Sequence, residues 1–517
     1  MSVRLLDWRR ILVYTHRWLG ILGNVLFLAW FVSGIVLMYA GMPTLSPGER
    51  LERLLAVDLS AARLSPTEAA RRHGVSPDRL HIGMLGERPV YRFMERGLTT
   101  TVFADDGKRL ERLTVDEVMV VAANWAPEHA ASLRYATRLR DADQWTFGSQ
   151  QFMPLHKVAL GDPGDTYLYV SDRTGEPVMR TSRSTRGVAY AGAVLHWLYF
   201  TPLRRHGEIW IQLVLWLSIV GCAMCLSGLV WGLWRWAPAR RYRLKQYRSQ
   251  TPYAGLMRWH HYTGLIFGLT TFTWTLSGAL SLDPWNWHPP NSPTAAQRAA
   301  VSGGQLRLGL MTLDGIQYAA GTIGGDVGLK ELEVVQFRGE PFLLASHVPP
   351  RDRVPEGSGG PANPKQRLVS VVTPEKGVFT SFDREEVLAA ARAAMPDVGV
   401  LDAAWLEEYD RYYYGRPGTR SLPVLRVRFD DPQKTWLYLD PSQGRIVLKE
   451  ERLTRLNRWI YHGFHSLDFP FLYNRRPLWD LVVITLSLGG IALCVTSLWQ
   501  AWKRLLRHGR RVSRFGR

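Results

Sequence analysis

The stretch Arg258–Leu282, RWHHYTGLIFGLTTFTWTLSGALSL, is apolar from Tyr262 onward and carries no charge until Asp283, so it is long enough to cross a bilayer. His260 and His261 stand at its mouth. On a helix, His260, Gly264 and Gly268 share one face at i, i+4 and i+8, which leaves room for a planar group beside the backbone. The same small residues also suit close packing of two helices. What gives the stretch its weight is a counterpart. His16, Gly20, Trp30, Ser33 and Gly34 align without a gap on His260, Gly264, Trp274, Ser277 and Gly278 at a constant shift of 244 residues, while His261 faces Arg17.

A second gapless alignment, at a shift of 269 residues, joins Val118 to Val387, Pro154 to Pro423, Asp162-Pro163 to Asp431-Pro432, and Tyr169 to Tyr438. It continues through His196 to His465, Phe200 to Phe469, Trp210 to Trp479, Gly221 to Gly490 and Cys225 to Cys494. An alignment of more than a hundred residues reads as an internal duplication. The expected fold is a membrane α-helical bundle of four spans, a duplicated two-span unit, with two exported α+β domains. The expected order is 1–40, N-terminus and first span; 41–208, first exported domain; 209–235, second span; 236–258, basic loop; 259–282, third span; 283–477, second exported domain; 478–502, fourth span; and 503–517, basic tail. The first span is too long, and too poor in a nearby small-x-small site, to be a cleaved leader.

The net charge of +19 invites a nucleic-acid reading until it is located. Residues 1–17, 235–258 and 503–517 hold 18 Lys and Arg against the single acid Asp7, so nearly all of the excess flanks the spans. By the positive-inside rule both termini and the 235–258 loop are expected in the cytoplasm, and the protein in a bacterial inner membrane. The long segments between are nearly neutral, and no nucleic-acid partner is expected.

In the exported segments, 65–73 and 383–394 read as amphipathic helices capped by Ser65 and Asp383, with a further helix beginning near Thr114. PVYRFM (89–94), TYLYV (166–170), VLRVRF (424–429) and TWLYL (435–439) alternate as strands, with Gly107, Gly175 and Gly444 in hairpin-like turns. The Pro/Gly-rich stretches 288–297 and 348–367 read as loops. Cys222, Cys225 and Cys494 all fall inside spans, which leaves the exported parts without a disulfide framework and makes Cys222-x-x-Cys225 a packing feature.

Equivalent histidines on equivalent helices are what a bundle needs to hold haem between two imidazoles. His16 and His260 form one candidate pair at the cytoplasmic edge, with His261 as an alternative one residue away. His196 and His465 form the other, about a dozen residues before their spans, each needing a helix and turn to carry it back to the bundle; His462 is its alternative or a substrate-side group. The bland readings are interfacial anchors for the first pair and hinge histidines for the second. No C-x-x-C-H motif is present, so the haems are expected to be b-type, two in number and non-covalent. No HExxH, P-loop, nucleophile elbow or dinucleotide fingerprint is present either. Electrons are therefore expected from a quinol or a soluble cytoplasmic reductase.

His16-Arg17-Trp18-Leu19-Gly20, His260-x-x-x-Gly264 and the single histidines before the second and fourth spans resemble the PepSY-associated transmembrane family, and the helix-plus-sheet units resemble PepSY domains. The resemblance covers essentially the whole chain. It extends to ferric-siderophore reductases of the FoxB type, which carry b-type haems in a helical bundle. It implies an inner-membrane electron conduit that reduces a ferric siderophore, or another acceptor, in the periplasm during iron uptake. Reduction weakens hard oxygen ligation of iron and releases it. The competing readings are a membrane-anchored PepSY binding or sensory protein without catalysis, and a transporter; the scarcity of ionisable groups in the spans disfavours the transporter.

Overall fold

The computed structural model describes residues 8–239, 242–244, 247–324, 329–347, 365–415 and 420–515 of the 517. Most of the 348–367 stretch, expected as a loop, lies outside the described residues. The chain divides into a helical unit (1–42, 187–288 and 456–517) and an α+β unit (43–186 and 289–455).

Four long helices make the helical unit: α1 (Trp8–Leu37), α2 (Gly207–Arg235), α3 (Leu256–Leu280) and α4 (Leu478–Phe515). Each packs on two neighbours in the cyclic order α1, α2, α3, α4, so α1 and α3 face each other across the interior. Among the described residues, three helices are long and apolar enough to cross a membrane: α1, α2, and α4 as far as Leu506. The third expected span is absent from that set. Thr263, Thr270, Thr271, Thr273, Thr275 and Ser277 dilute the apolar character of α3. The hydroxyls of Thr263, Thr271, Thr273, Thr275 and Ser277 donate within the helix, as where Thr271 donates to the Phe267 carbonyl (2.9 Å) and Thr275 to that of Thr271 (2.7 Å). Leu22, Val25, Trp216, Leu226, Ile266, Leu269, Leu481 and Leu488 point outward, an apolar surface of the kind lipid solvates. Inside, Phe27, Phe31, Cys225 and Cys494 form a buried cluster; the cysteines are free thiols packed among aromatic rings.

The approaches to α2 and α4 share one unusual geometry. A π-turn (Tyr190–Val194) leads into a short helix (Leu195–Trp197), a left-handed Leu198 (φ 53°) and a second short helix (Thr201–Arg204). The same series recurs as Arg458–Gly463, Phe464–Ser466, Leu467 (φ 54°) and Pro470–Tyr473. Trp210 Nε1 donates to the Trp197 carbonyl (2.8 Å) and Trp479 Nε1 to that of Ser466 (3.0 Å), which ties each turn to its long helix.

In the α+β unit, strands β1 (Arg79–Leu85), β2 (Arg88–Glu95) and β3 (Leu98–Phe103) are followed by the antiparallel meander β4 (Arg134–Leu139), β5 (Leu155–Ala159), β6 (Tyr167–Ser171) and β7 (Pro177–Thr181). The helical unit then contributes the hairpin β8 (Tyr242–Leu244) and β9 (Tyr247–Ser249). The second half supplies β10 (Leu332–Phe337), β11 (Glu340–His347) and β12 (Lys365–Ser370), then a second meander of β13 (Val400–Leu406), β14 (Val424–Phe429), β15 (Trp436–Asp440) and β16 (Arg445–Glu450). Helices form where caps predict them: Pro66–Arg72 behind the Ser65/Glu68 capping box, Val115–Trp125 behind Thr114/Glu117, and Arg384–Ala393 behind Asp383. The two meanders carry matching turns, in which Asp162 accepts from the Thr166 hydroxyl and Asp431 from that of Thr435, both at 2.7 Å.

The two segments share one sheet. β1 pairs antiparallel with β10, in register Leu80 with Val334, giving the strand order β12-β11-β10-β1-β2-β3. The expectation of two separate domains overlooks this seam. Its physical reason is that β1 and β10 would each otherwise present an unpaired edge beside a common core of Leu80, Ile82, Leu332, Val334 and Leu343. A charged network lies at the same seam. Glu331 takes both terminal nitrogens of Arg50 and sits 3.2 Å from His81 Nδ1, while Arg50 also reaches Glu176 at 3.2 Å.

Candidate functional site

His16 lies near the start of α1 and His260 near the start of α3, so both point into the bundle from the same end. Their ring centroids are 6.2 Å apart. His16 Nδ1 meets the Met224 carbonyl of α2 at 3.0 Å, and its ring lies so close to Gly228 that a Cβ there would come within 2.6 Å of Nδ1. His260 Nδ1 meets the Thr496 hydroxyl of α4 at 3.3 Å, beside the Leu493 carbonyl. Met224 and Leu493 are equivalent at the shift of 269. The four helices thus converge on one pair of imidazoles.

The second pair is His196 and His465, again with ring centroids 6.2 Å apart. Each follows a π-turn and is turned back onto one of the two facing helices. His196 Nδ1 meets Ser33 Oγ of α1 at 3.0 Å; His465 Nδ1 meets Ser277 Oγ of α3 at 3.1 Å and the Trp274 carbonyl at 3.1 Å. Gly34 and Gly278 lie under the rings, 3.5 and 3.4 Å from Cε1 by the position an added Cβ would take.

The partners fix the tautomers. Ser33 and Ser277 already donate their hydroxyl protons to the Trp30 and Trp274 carbonyls (3.2 and 3.0 Å), and Thr496 donates to the Ala492 or Leu493 carbonyl (2.9 Å each). Each hydroxyl oxygen therefore accepts from histidine, and Met224 offers only a carbonyl. In all four rings Nδ1 carries the proton and Nε2 keeps its lone pair. Among the described residues, no protein group hydrogen-bonds to any of these four Nε2 atoms. An imidazole in that state has a lone pair free to ligate a metal.

Ser33 and Gly34 lie 17 and 18 residues beyond His16, so the two pairs are separated by roughly 26 Å along α1 at about 1.5 Å per residue. Between them sit Phe27, Phe31, Trp30 and Trp274, with Trp30 edge-on to Phe27 (5.4 Å) and Phe31 near Trp274 (5.9 Å). Among the described residues, no group of three or more His, Cys, Asp or Glu side chains could hold a metal ion by itself. The histidines come in twos, a number that suits axial ligation, where a macrocycle supplies the other donors.

The alternatives behave differently. His261 turns away from His16: its Nε2 donates to the Gly232 carbonyl (2.8 Å), and its buried Nδ1 has no hydrogen-bond partner among the described residues. His462 is exposed, with its ring 4.8 Å from Tyr461. Of the histidines that the sequence offers no role, His156 is buried in a structural network. Its Nε2 meets Asp172 at 2.7 Å and its Nδ1 meets the Tyr135 hydroxyl at 3.0 Å. Burial works against the Asp172 charge, but hydrogen bonds from His156, the Leu113 N–H and Arg138 outweigh it and hold this carboxyl down at about 2. The residues that sequence reasoning passes over are Gly228, Thr496 and the carbonyls of Met224 and Leu493. Ser33 and Ser277 stand in the repeat alignment, and that was the available signal for them.

The profile of the PepSY-associated TM region matches residues 13–309, which contain His16, His196 and His260 together with α1, α2 and α3. The chain belongs to the PepSY-associated TM family. It is a membrane protein of that family, whose helical unit carries both histidine pairs and whose other unit combines antiparallel sheets with helices. No curated protein matches the chain.

Proposed function

We propose that this PepSY-associated TM protein is an inner-membrane electron conduit that holds two b-type haems and reduces an oxygen-ligated ferric chelate, such as a ferric siderophore, on the exported side. The observation that carries the reading is the pair of imidazole pairs. With metal–nitrogen bonds of about 2 Å, two imidazoles on opposite faces of one metal have ring centroids about 6 Å apart, and both pairs stand at 6.2 Å. His16 and His260 are the candidate ligands of one haem, and His196 and His465 of the other. Bound haem supplies reversible one-electron chemistry. The protein's own contribution is to fix each ring by its Nδ1–H, to keep Nε2 unprotonated, and to fill the space between the pairs with Phe27, Trp30, Phe31 and Trp274.

The same reading takes α3 as a fourth span, shielded from lipid on two sides by α2 and α4, and the molecule as two copies of span, exported segment, span. The matching π-turns, meanders and Nδ1 partners support duplication. The basic residues flanking the spans support cytoplasmic termini and an exported α+β unit. A quinol or a soluble reductase at the basic face is the proposed donor. Two experiments test this. A reporter fused after Arg517 is expected to be active only in the cytoplasm. Dithionite-reduced protein mixed anaerobically with ferric citrate is expected to reoxidise while Fe(II) appears in equal amount. Colourless, folded protein from haem-replete cells returns the function to a binding or sensory role.

A further inference from the structure

The two π-turns agree in backbone and differ in side chains at the positions nearest the second histidine pair. Gly192 and Ala193 in the first correspond to Tyr461 and His462 in the second. Gly192 lets its turn close on α1, since an added Cβ would meet Val36 at 3.0 Å and the Ala40 carbonyl at 3.5 Å. Tyr461 instead places a ring between two imidazoles, 4.8 Å from His462 and 5.3 Å from His465 by ring centroids. His462 is exposed and Tyr461 half-buried. A continuous series of rings therefore leads from the surface through His462 and Tyr461 to His465, and across to His196. The first turn has no such path: among the described residues, His196 has no ring neighbour except His465. A buried cation lies behind the path. Arg458, one helical turn before His462, stacks on Trp459 (4.3 Å) and donates to the Asp468 carbonyl (2.6 Å).

We propose that the ferric chelate docks against the exposed edge of His462 and that Tyr461 couples it to His465, so that electrons leave the bundle on the second-half side only. This rests on the haem reading above. The step would be a one-electron transfer: Fe(III) of the chelate would become Fe(II), a haem held by His196 and His465 would supply the electron, and no bond would be made or broken. Tyr461, in ring contact with His462 and His465, acts as a positioning and coupling residue. His462 meets the chelate directly.

The test uses full-length protein reduced with dithionite and mixed with ferric citrate in an anaerobic stopped-flow instrument. Haem content and the Soret band are expected to be unchanged in His462→Ala, Tyr461→Leu and Tyr461→Phe, because His465 keeps its Ser277 and Trp274 partners. The second-order reoxidation rate is expected to fall about tenfold in Tyr461→Leu and His462→Ala, and to stay within about twofold of the parent in Tyr461→Phe, which keeps the ring. Tyr190→Ala, which removes an exposed ring from the first turn at the position equivalent to Trp459, is expected to react at the parent rate. Haem-loaded His462→Ala and Tyr461→Leu proteins that react as fast as the parent would overturn the docking site, as would an equal loss in Tyr190→Ala. A protein that binds no haem at all would instead sink the parent reading.

Discussion

At the first histidine pair, His16 and His260 ride on the facing helices α1 and α3, and the flanking helices α2 and α4 hold their Nδ1 atoms through Met224, Leu493 and Thr496. At the second pair the roles are exchanged. His196 and His465 ride on the turns that lead into α2 and α4, and α1 and α3 hold them through Ser33 and Ser277. Each facing helix thus offers a candidate ligand at one end and a hydrogen-bond acceptor at the other. The rings also differ in tilt, 38° between planes in the first pair and 76° in the second. The lesson is that two similar histidine pairs can be built on different backbone supports: regular helix for the first, a π-turn with a left-handed residue for the second.

The comparison breaks most visibly if the pairs are wrongly assigned. His16→Ala combined with His196→Ala takes one donor from each pair and is expected to abolish haem binding. His16→Ala combined with His260→Ala is expected to spare the second site, and haem extracted per chain distinguishes the two double variants. Next in size is a glycine contrast. Gly228→Ala places a methyl inside the His16 ring and is expected to empty the first site alone, whereas Gly34→Ala meets His196 at ordinary contact distance and is expected to leave haem content unchanged.

The hydroxyl partners should act more gently. Ser33→Ala and Ser277→Ala remove an acceptor from Nδ1–H at the second pair, and loss of such a partner typically weakens metal affinity by about 10–100-fold. Haem titration of the stripped variants is expected to show that weakening at the second site, with the first site unaffected. The smallest effect belongs to the α+β unit. The native carboxyl of Asp172, at about 2, lies below its ordinary value of 3.8. Its contribution to stability is therefore fully present above about pH 4 and lost as the pH falls toward 2. Asp172→Asn is expected to flatten that acid limb in unfolding followed by near-UV circular dichroism.

Much of the helical unit was readable from residue pattern, because a span is long and its histidines recur at matched positions. His16 and His260, and likewise His196 and His465, were legible as pairs for that reason. Their partners were not. Gly228 faces Ser497 in the repeat, so no symmetry flags it, and a backbone carbonyl such as that of Met224 leaves no mark in a sequence. The seam between β1 and β10 joins strands some 250 residues apart, and alternation within a strand says nothing about which distant edge will cover it. The threonines of α3 illustrate a third limit. They lower its hydropathy, yet the hydroxyls of Thr263, Thr271, Thr273 and Thr275 are spent on their own helix, a fact that only the hydrogen bonds reveal.

The central claim is that the two imidazole pairs are axial ligand sets, and one measurement meets it directly: the haem-to-protein ratio of the purified full-length chain, read together with its low-temperature EPR spectrum. The account predicts two extractable b-type haems per chain and low-spin signals from two bis-histidine centres. Folded protein from haem-replete cells with no haem, or with high-spin haem bound through a single histidine, would contradict it.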